Sequence, residues 1–165
     1  MMAKLIQKMV GTSCRPCSPF EYRDMSIKLK NRTSESTRSF ERIQKCLVEH
    51  GAQRIMYEYT GTGLIKGITF DILMNGVTMP VIMPSRYENV AKILYKKEYE
   101  RCTEAQKKQS YGTAWANIRD WIEVQMALYD TSMVKMAEVF FPYIAHKSGG
   151  TLFEYIEKNP QQLLN

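Results

Sequence analysis

This 165-residue chain has no apolar run approaching the roughly 18 residues that a bilayer crossing needs. Its first ten residues, MMAKLIQKMV, are broken by lysine too soon to form a secretory leader. The expected location is therefore the cytoplasm. Four cysteines (Cys14, Cys17, Cys46, Cys102) are too few and too scattered for a disulfide scaffold. The two histidines, His50 and His146, stand alone and far apart, and no second Cys-x-x-Cys accompanies Cys14-Arg-Pro-Cys17. The four ligands of a structural zinc site are missing, and neither metal nor cofactor is expected. A redox role for that pair would need a surrounding βαβ pattern, which is absent. There is no Walker lysine motif, no Gly-x-Ser-x-Gly and no His-Glu-x-x-His. Gly61-Thr-Gly63 lacks the third glycine of a dinucleotide fingerprint and precedes a strand rather than a helix. With no catalytic constellation, the expectation is a protein that is not an enzyme.

What is present fits one globular domain. A hydrophobic fraction of 44% and a charged fraction of 24% are ordinary, and a chain of this length buries a sizeable core without staples. Residues 1–24 have no sustained period of either kind, and Met25 opens a conventional start, Met-Ser-Ile-Lys-Leu-Lys. The reading is a loose tail or mis-assigned start over 1–24 and a single α+β domain over 25–165.

A first helix is expected from Thr33 or Ser34, both N-cap types. Phe40, Ile43 and Leu47 recur at helical spacing, widened by Cys46, and Gly51 suits the left-handed position that ends a helix. Three strands follow. Gln53–Thr60 alternates, with Ile55, Tyr57 and Tyr59 on one side. Leu64–Met74 places Ile68, Phe70, Ile72 and Met74 on one face, and Lys66 shares that parity at its solvent end. Asn75-Gly76 reads as a type I′ hairpin turn, since both residues tolerate positive φ. Val77, Met79, Val81 and Met83 share a face in the third strand, and Pro80 makes that strand an edge or bulges it. Ser85-Arg-Tyr-Glu88, Thr103-Glu-Ala-Gln106 and Thr151-Leu-Phe-Glu154 each fit a capping box that opens a helix. A short helix near Met133 should precede the apolar corner Glu138–Tyr143, which Pro142 ends or kinks.

The longest element runs from Thr103 to Tyr129, roughly 40 Å at about 1.5 Å per residue. Tyr111, Ala114, Trp115, Ile118, Trp121, Ile122, Gln125 and Tyr129 form its core stripe. Gly112 permits another element to approach closely, and the Gln125 amide must find a partner or sit at a rim. Arg119 and Glu123 are spaced to pair on the surface. The expected core is Phe40, Ile43, Leu47, Ile68, Phe70, Ile72, Trp115, Ile118, Trp121 and Ile122. The expected fold class is α+β: a helix, a three-stranded antiparallel meander, a long amphipathic helix and short C-terminal helices.

A net charge of +6 favours anionic partners. Lys28, Lys30, Arg32, Arg38, Arg42 and Lys45 form one basic cluster. Lys92, Lys96, Lys97 and Arg101, with Lys107 and Lys108 at the start of the long helix, form a second, diluted by Glu88, Glu98, Glu100 and Glu104. Tyr87, Tyr95, Tyr99 and Tyr111 are interleaved as candidate stacking surfaces for unpaired bases. Ser148-Gly-Gly-Thr151 leads into a helix N-terminus, a place that suits an anion, but a plain turn followed by a cap is the expected arrangement.

Three strings carry a resemblance: Ala114-Trp-Ala-Asn-Ile-Arg-Asp-Trp-Ile-Glu-Val-Gln-Met-Ala-Leu128, Glu138-Val-Phe-Phe-Pro-Tyr143 and Gly149-Gly-Thr-Leu-Phe-Glu154. Together with the Gly51-Ala52 and Met83-Pro84 steps, they resemble a group of small uncharacterised proteins of tailed bacteriophages and prophages. The resemblance covers most of residues 34–158. It implies a mobile-element origin and a bacterial host cytoplasm, and carries over no functional residue. The helix–three strands–helix order is also similar to that of double-stranded RNA-binding domains and phage single-strand annealing proteins, an analogy of order alone. The expected function is a phage-encoded accessory protein that binds DNA or RNA through its basic residues, in a replication or recombination setting. The alternative is a module that binds a host or phage protein through the edge strand around Pro80 and the residues near Phe140–Tyr143. No membrane partner is expected, and the oligomeric state is left open.

Overall fold

A computed structural model describes residues 36–163. The tail at 1–24, Cys14 and Cys17, the cap candidates Thr33 and Ser34, and the cations Lys28, Lys30 and Arg32 lie outside the described residues. The chain is α+β, as expected. Helix α1 (Ser36–Glu49) leads into strands β1 (Arg54–Tyr59), β2 (Ile65–Met74) and β3 (Val77–Pro84). Helix α2 (Tyr87–Tyr95), a 3-10 turn (Tyr99–Arg101) and the long helix α3 (Glu104–Asp130) follow. Helix α4 (Met136–Phe140), a second 3-10 turn (Phe141–Tyr143), helix α5 (Leu152–Lys158) and a 3-10 turn (Pro160–Leu163) complete it.

The sheet is antiparallel in the order β1-β2-β3. Phe70 faces Ile55 on one side and Val81 on the other, and Ile68 faces Tyr57 and Met83. The hairpin turns on Asn75 and Gly76, with φ of 52° and 80°, the pair of positive values a type I′ turn requires. Alternation along β2 buries Ile68, Phe70, Ile72 and Met74 and leaves Lys66 exposed. Those side chains share one core with Ile43 and Leu47 of α1, with Trp115, Ile122 and Met126 of α3, and with Phe140. Phe140 sits edge-on between Phe70 (centroids 5.4 Å apart) and Trp121 (5.8 Å).

Trp115 is fully buried with its ring edge-on to Phe40 at 4.7 Å. Trp121, Ile118 and Phe40 are only half-buried, so the expected core is right in its centre and wetter at its rim. Gln125 lies at that rim, half-buried. Helix α3 also departs from a single stripe: every residue from Ser110 to Ala116 is buried. Both α1 and α2 pack on this stretch, and its small residues (Ser110, Gly112, Thr113, Ala114, Ala116) admit them. Tyr111 reaches past them to accept a hydrogen bond from the Ile65 N–H (2.9 Å) at the start of β2.

Local signals set most boundaries. Helix α1 ends at Gly51 (φ 86°), with the Ala52 N–H donating to the Leu47 carbonyl at 2.9 Å, a Schellman closure. The boxes at Thr103/Gln106 and Thr151/Glu154 are both formed. The box at Ser85/Glu88 is not. Ser85 is still bonded to β2: its N–H (2.9 Å) and its hydroxyl (2.7 Å) both donate to the Lys66 carbonyl. The chain turns one residue later, at Arg86 (φ 47°), and α2 starts without a side-chain cap. The helix placed near Met133 begins only at Met136. Residues 131–133 are spent closing α3, with Ser132 left-handed (φ 57°) and the Met133 N–H donating to the Leu128 carbonyl at 2.9 Å. Pro142 falls inside the 3-10 turn that follows α4.

The two edges of the sheet differ. At β3 the Ala145 N–H donates to the Pro80 carbonyl (2.8 Å) and Ile144 bridges Val81. The edge around Pro80, expected to be open, is thus covered. No described residue pairs with the outer side of β1.

Candidate functional site

Charge is unevenly placed along the chain. Residues 1–35 hold seven basic and three acidic residues, and residues 92–108 hold six and three. Everything else holds ten basic and eleven acidic residues, so the entire positive excess lies in those two segments. Segment 92–108 is the end of α2, the 3-10 turn and the start of α3. These elements flank a cleft of about 500 Å³ lined by Leu64, Tyr99, Glu104, Lys107, Lys108 and Tyr111, with Thr62 of the β1–β2 turn and Ser36. Ser36 is the residue to which the basic segment 1–35 is bonded.

Lys108 on this lining, and Lys96 and Lys97 just past the end of α2, are exposed and make no ion pair among the described residues. Lys96 is held in the left-handed region (φ 53°) as the C-cap of α2. Lys92 is tied to Glu98 (3.1 Å) and Lys107 to Glu104 (2.9 Å). Lys107 also lies 5.9 Å from the centre of the Tyr99 ring. The α1 cations behave differently. Arg38 is exposed near the cleft, but Arg42 binds Glu123 of α3 at 2.6 Å and Lys45 lies 3.8 Å from Glu49. Glu123 therefore belongs to Arg42, while Arg119 binds Asp120 (Nε to Oδ1, 2.9 Å). The expected Arg119–Glu123 pair loses to a partner on the neighbouring helix.

Two of the four tyrosines are buried and two are half-buried. Tyr87 and Tyr111 are buried and in ring contact with each other (5.4 Å), and Tyr87 packs on Tyr99 (4.8 Å). Burial, reinforced by Glu88, pushes the Tyr87 phenol up to about 12. Tyr95 donates its hydroxyl to Gln109 of α3. These contacts bind α2 to α3.

One constellation escaped the sequence. His50 is not alone: its Nδ1 lies 2.6 Å from the Cys46 carbonyl and its Nε2 lies 3.2 Å from both oxygens of Asp130. The Cys46 sulfur is 4.0 Å from Nδ1. A Cys–His–Asp set suggests nucleophilic chemistry, but the geometry opposes it. Nδ1 is committed to the carbonyl, and the thiol is pushed up to about 11 by burial and by Glu123, Glu49 and Asp130. Both ring nitrogens face acceptors, which favours protonation of the ring. Desolvation alone would lower its pKa. The Cys46 carbonyl and the Asp130 carboxylate outweigh that and hold it above the ordinary value. The set is a charged tie between the ends of α1 and α3. His146 is likewise partnered, stacked on Tyr155 at 3.9 Å and bonded to Ser148 at 2.7 Å.

The helix N-terminus after Gly149-Gly150 is filled by its own Glu154, which accepts from the Thr151 N–H at 3.2 Å, as a plain turn and cap would have it. Among the described residues no three His, Cys, Asp or Glu side chains are grouped to hold a metal ion, and no helix is long and apolar enough to cross a membrane. No protein-family model, curated protein or solved structure matches the chain.

Proposed function

We propose that this protein is a non-enzymatic nucleic-acid-binding accessory protein that holds phosphate backbone at the end of the molecule where α1 and α3 begin. One observation supports the reading above the rest: a segment holding much of the positive excess borders this cleft, the other such segment leads in sequence into Ser36 on its lining, and Lys96, Lys97 and Lys108 are left without carboxylate partners among the described residues. Lys and Arg at such a surface displace condensed counterions, which gives affinity with little sequence preference. With Tyr87 and Tyr111 buried, backbone charge rather than base stacking is the main source of binding in this reading. Within this reading, the resemblance to phage proteins favours a role beside replication or recombination in a host cytoplasm.

The test is fluorescence anisotropy with the full chain on single- and double-stranded DNA and RNA across a salt series. Affinity should fall linearly on logarithmic axes, with a slope of about 0.9 per phosphate contact on duplex and about 0.7 on single strands. Lys96→Glu/Lys97→Glu/Lys108→Glu should flatten that slope by roughly two to three such contacts. Absence of binding at low salt sinks the proposal. The alternative, a protein-interaction module, draws on Phe141, exposed beside the buried Phe140. Capture of a host protein that Phe141→Ser abolishes would favour it.

A further inference from the structure

The open edge of β1 has a definite hydrogen-bonding phase. In an antiparallel ladder, residue pairs alternate between those that exchange two backbone hydrogen bonds and those that exchange none. The Ser85 N–H donates to the Lys66 carbonyl, so Lys66 and Ser85 are a bonded pair. Every second pair along the hairpin, Ile68↔Met83 through Met74↔Val77, is then bonded as well. Gly67, Thr69 and Asp71 must therefore aim their backbone groups the other way, at Glu58, Met56 and Arg54 of β1. The Gln53 N–H donating to the Asp71 carbonyl (3.2 Å) agrees. Ile55 and Tyr57 are left with their backbone groups pointing out of the sheet, unpaired among the described residues.

The side chains on that edge complement their own reversal. Arg54, Met56 and Glu58 share the face of the sheet away from the core, and all three are exposed, Met56 by 46%. Arg54 is bound to Asp71 at 2.9 Å, while Glu58 has no ion partner among the described residues. Unlike β3, this strand has no proline, and among the described residues no segment covers its outer side to blunt it.

We propose that β1 pairs antiparallel with β1 of a second copy of this chain, about a two-fold axis through Met56, to make one continuous six-stranded sheet. Ile55 of each copy then bonds with Tyr57 of the other. Met56 meets Met56, and Arg54 of each copy faces Glu58 of the other, shared with its own Asp71. Other registers do worse. An odd offset sets outward-bonding residues against inward-bonding ones and forms no ladder. Moving the axis to Tyr57 sets Met56 against Glu58 and Arg54 against Thr60; moving it to Ile55 leaves Glu58 facing Ala52.

Sedimentation velocity on the full chain from micromolar to millimolar concentration should show a reversible monomer–dimer equilibrium. Arg54→Glu and Glu58→Arg should each lose the dimer, because like charges then face across the axis. An equimolar mixture of the two should regain a dimer holding one copy of each, resolved by native mass spectrometry. Met56→Cys should form a disulfide with its own kind, since its Cβ atoms would lie about 4.5–5.5 Å apart, whereas Glu58→Cys should not. A wild-type chain monomeric throughout overturns the proposal. So does a dimer indifferent to both charge reversals, or one in which Glu58→Cys cross-links as readily as Met56→Cys.

Discussion

The two ends of α3 use charge in opposite ways. Where the helix starts, Lys96, Lys97 and Lys108 stand exposed without carboxylate partners among the described residues, beside tyrosines that pack on one another. Where it ends, Arg42 is matched with Glu123 and His50 with Asp130. The first arrangement leaves its charge for something outside the molecule. The second spends it on joining two helices that run side by side. Similar residue types do both, and what separates them is whether a neighbouring element presents a carboxylate within reach.

Four measurements break or sharpen that contrast. Trp115 lies in the stretch that links the two ends and touches both α1 and the sheet core. Trp115→Ala should cost about 3–5 kcal/mol and loosen both ends at once, seen as a large loss of denaturation midpoint and of near-ultraviolet dichroism. Thr103→Ala removes the cap acceptor of the Gln106 N–H and should cost about 1 kcal/mol, felt first in exchange of amides at the starting end. At the other end, the raised His50 pKa gives a sign. The tie is complete below the unfolded histidine pKa of about 6.5 and is lost as pH rises through the higher folded value. His50→Gln should therefore lower the melting temperature more at pH 6 than at pH 8.5, and Asp130→Asn should flatten the same pH dependence. The triple Lys96→Glu/Lys97→Glu/Lys108→Glu should leave stability within about 0.5 kcal/mol per site while weakening nucleic-acid binding. A collapse of stability there would mean that these lysines hold the fold after all.

What the sequence disclosed follows the range of the interactions involved. Asn75-Gly76, Gly51 and the boxes at Thr103 and Thr151 are decided by residues within a turn of one another, and each was legible. Ser85 has the same local chemistry as Thr103, but its hydroxyl and N–H are claimed by Lys66, nineteen residues away, through continued strand pairing. The His50–Asp130 tie spans 80 residues and has no local signature. The helical period of α3 found Trp115 and Ile122 but understated the burial of Ser110–Ala116, because periodicity reports one face and this stretch is packed on more than one. Its signal was the run of small residues around Gly112. The tyrosines among the lysines looked like a stacking surface because sequence order shows interleaving and not the side from which each ring projects.

The bond from Ala145 to Pro80 has a consequence for synthesis. The hairpin emerges from the ribosome some sixty residues before the segment that seals its outer border. Until residue 145 is free of the exit tunnel, the β3 border of the nascent sheet lacks the pairing that Ile144 and Ala145 supply. Release of a product ending near Phe140 should therefore give a sticky, aggregating fragment, and slowing translation past that point should lengthen the window in which a chaperone must shield it.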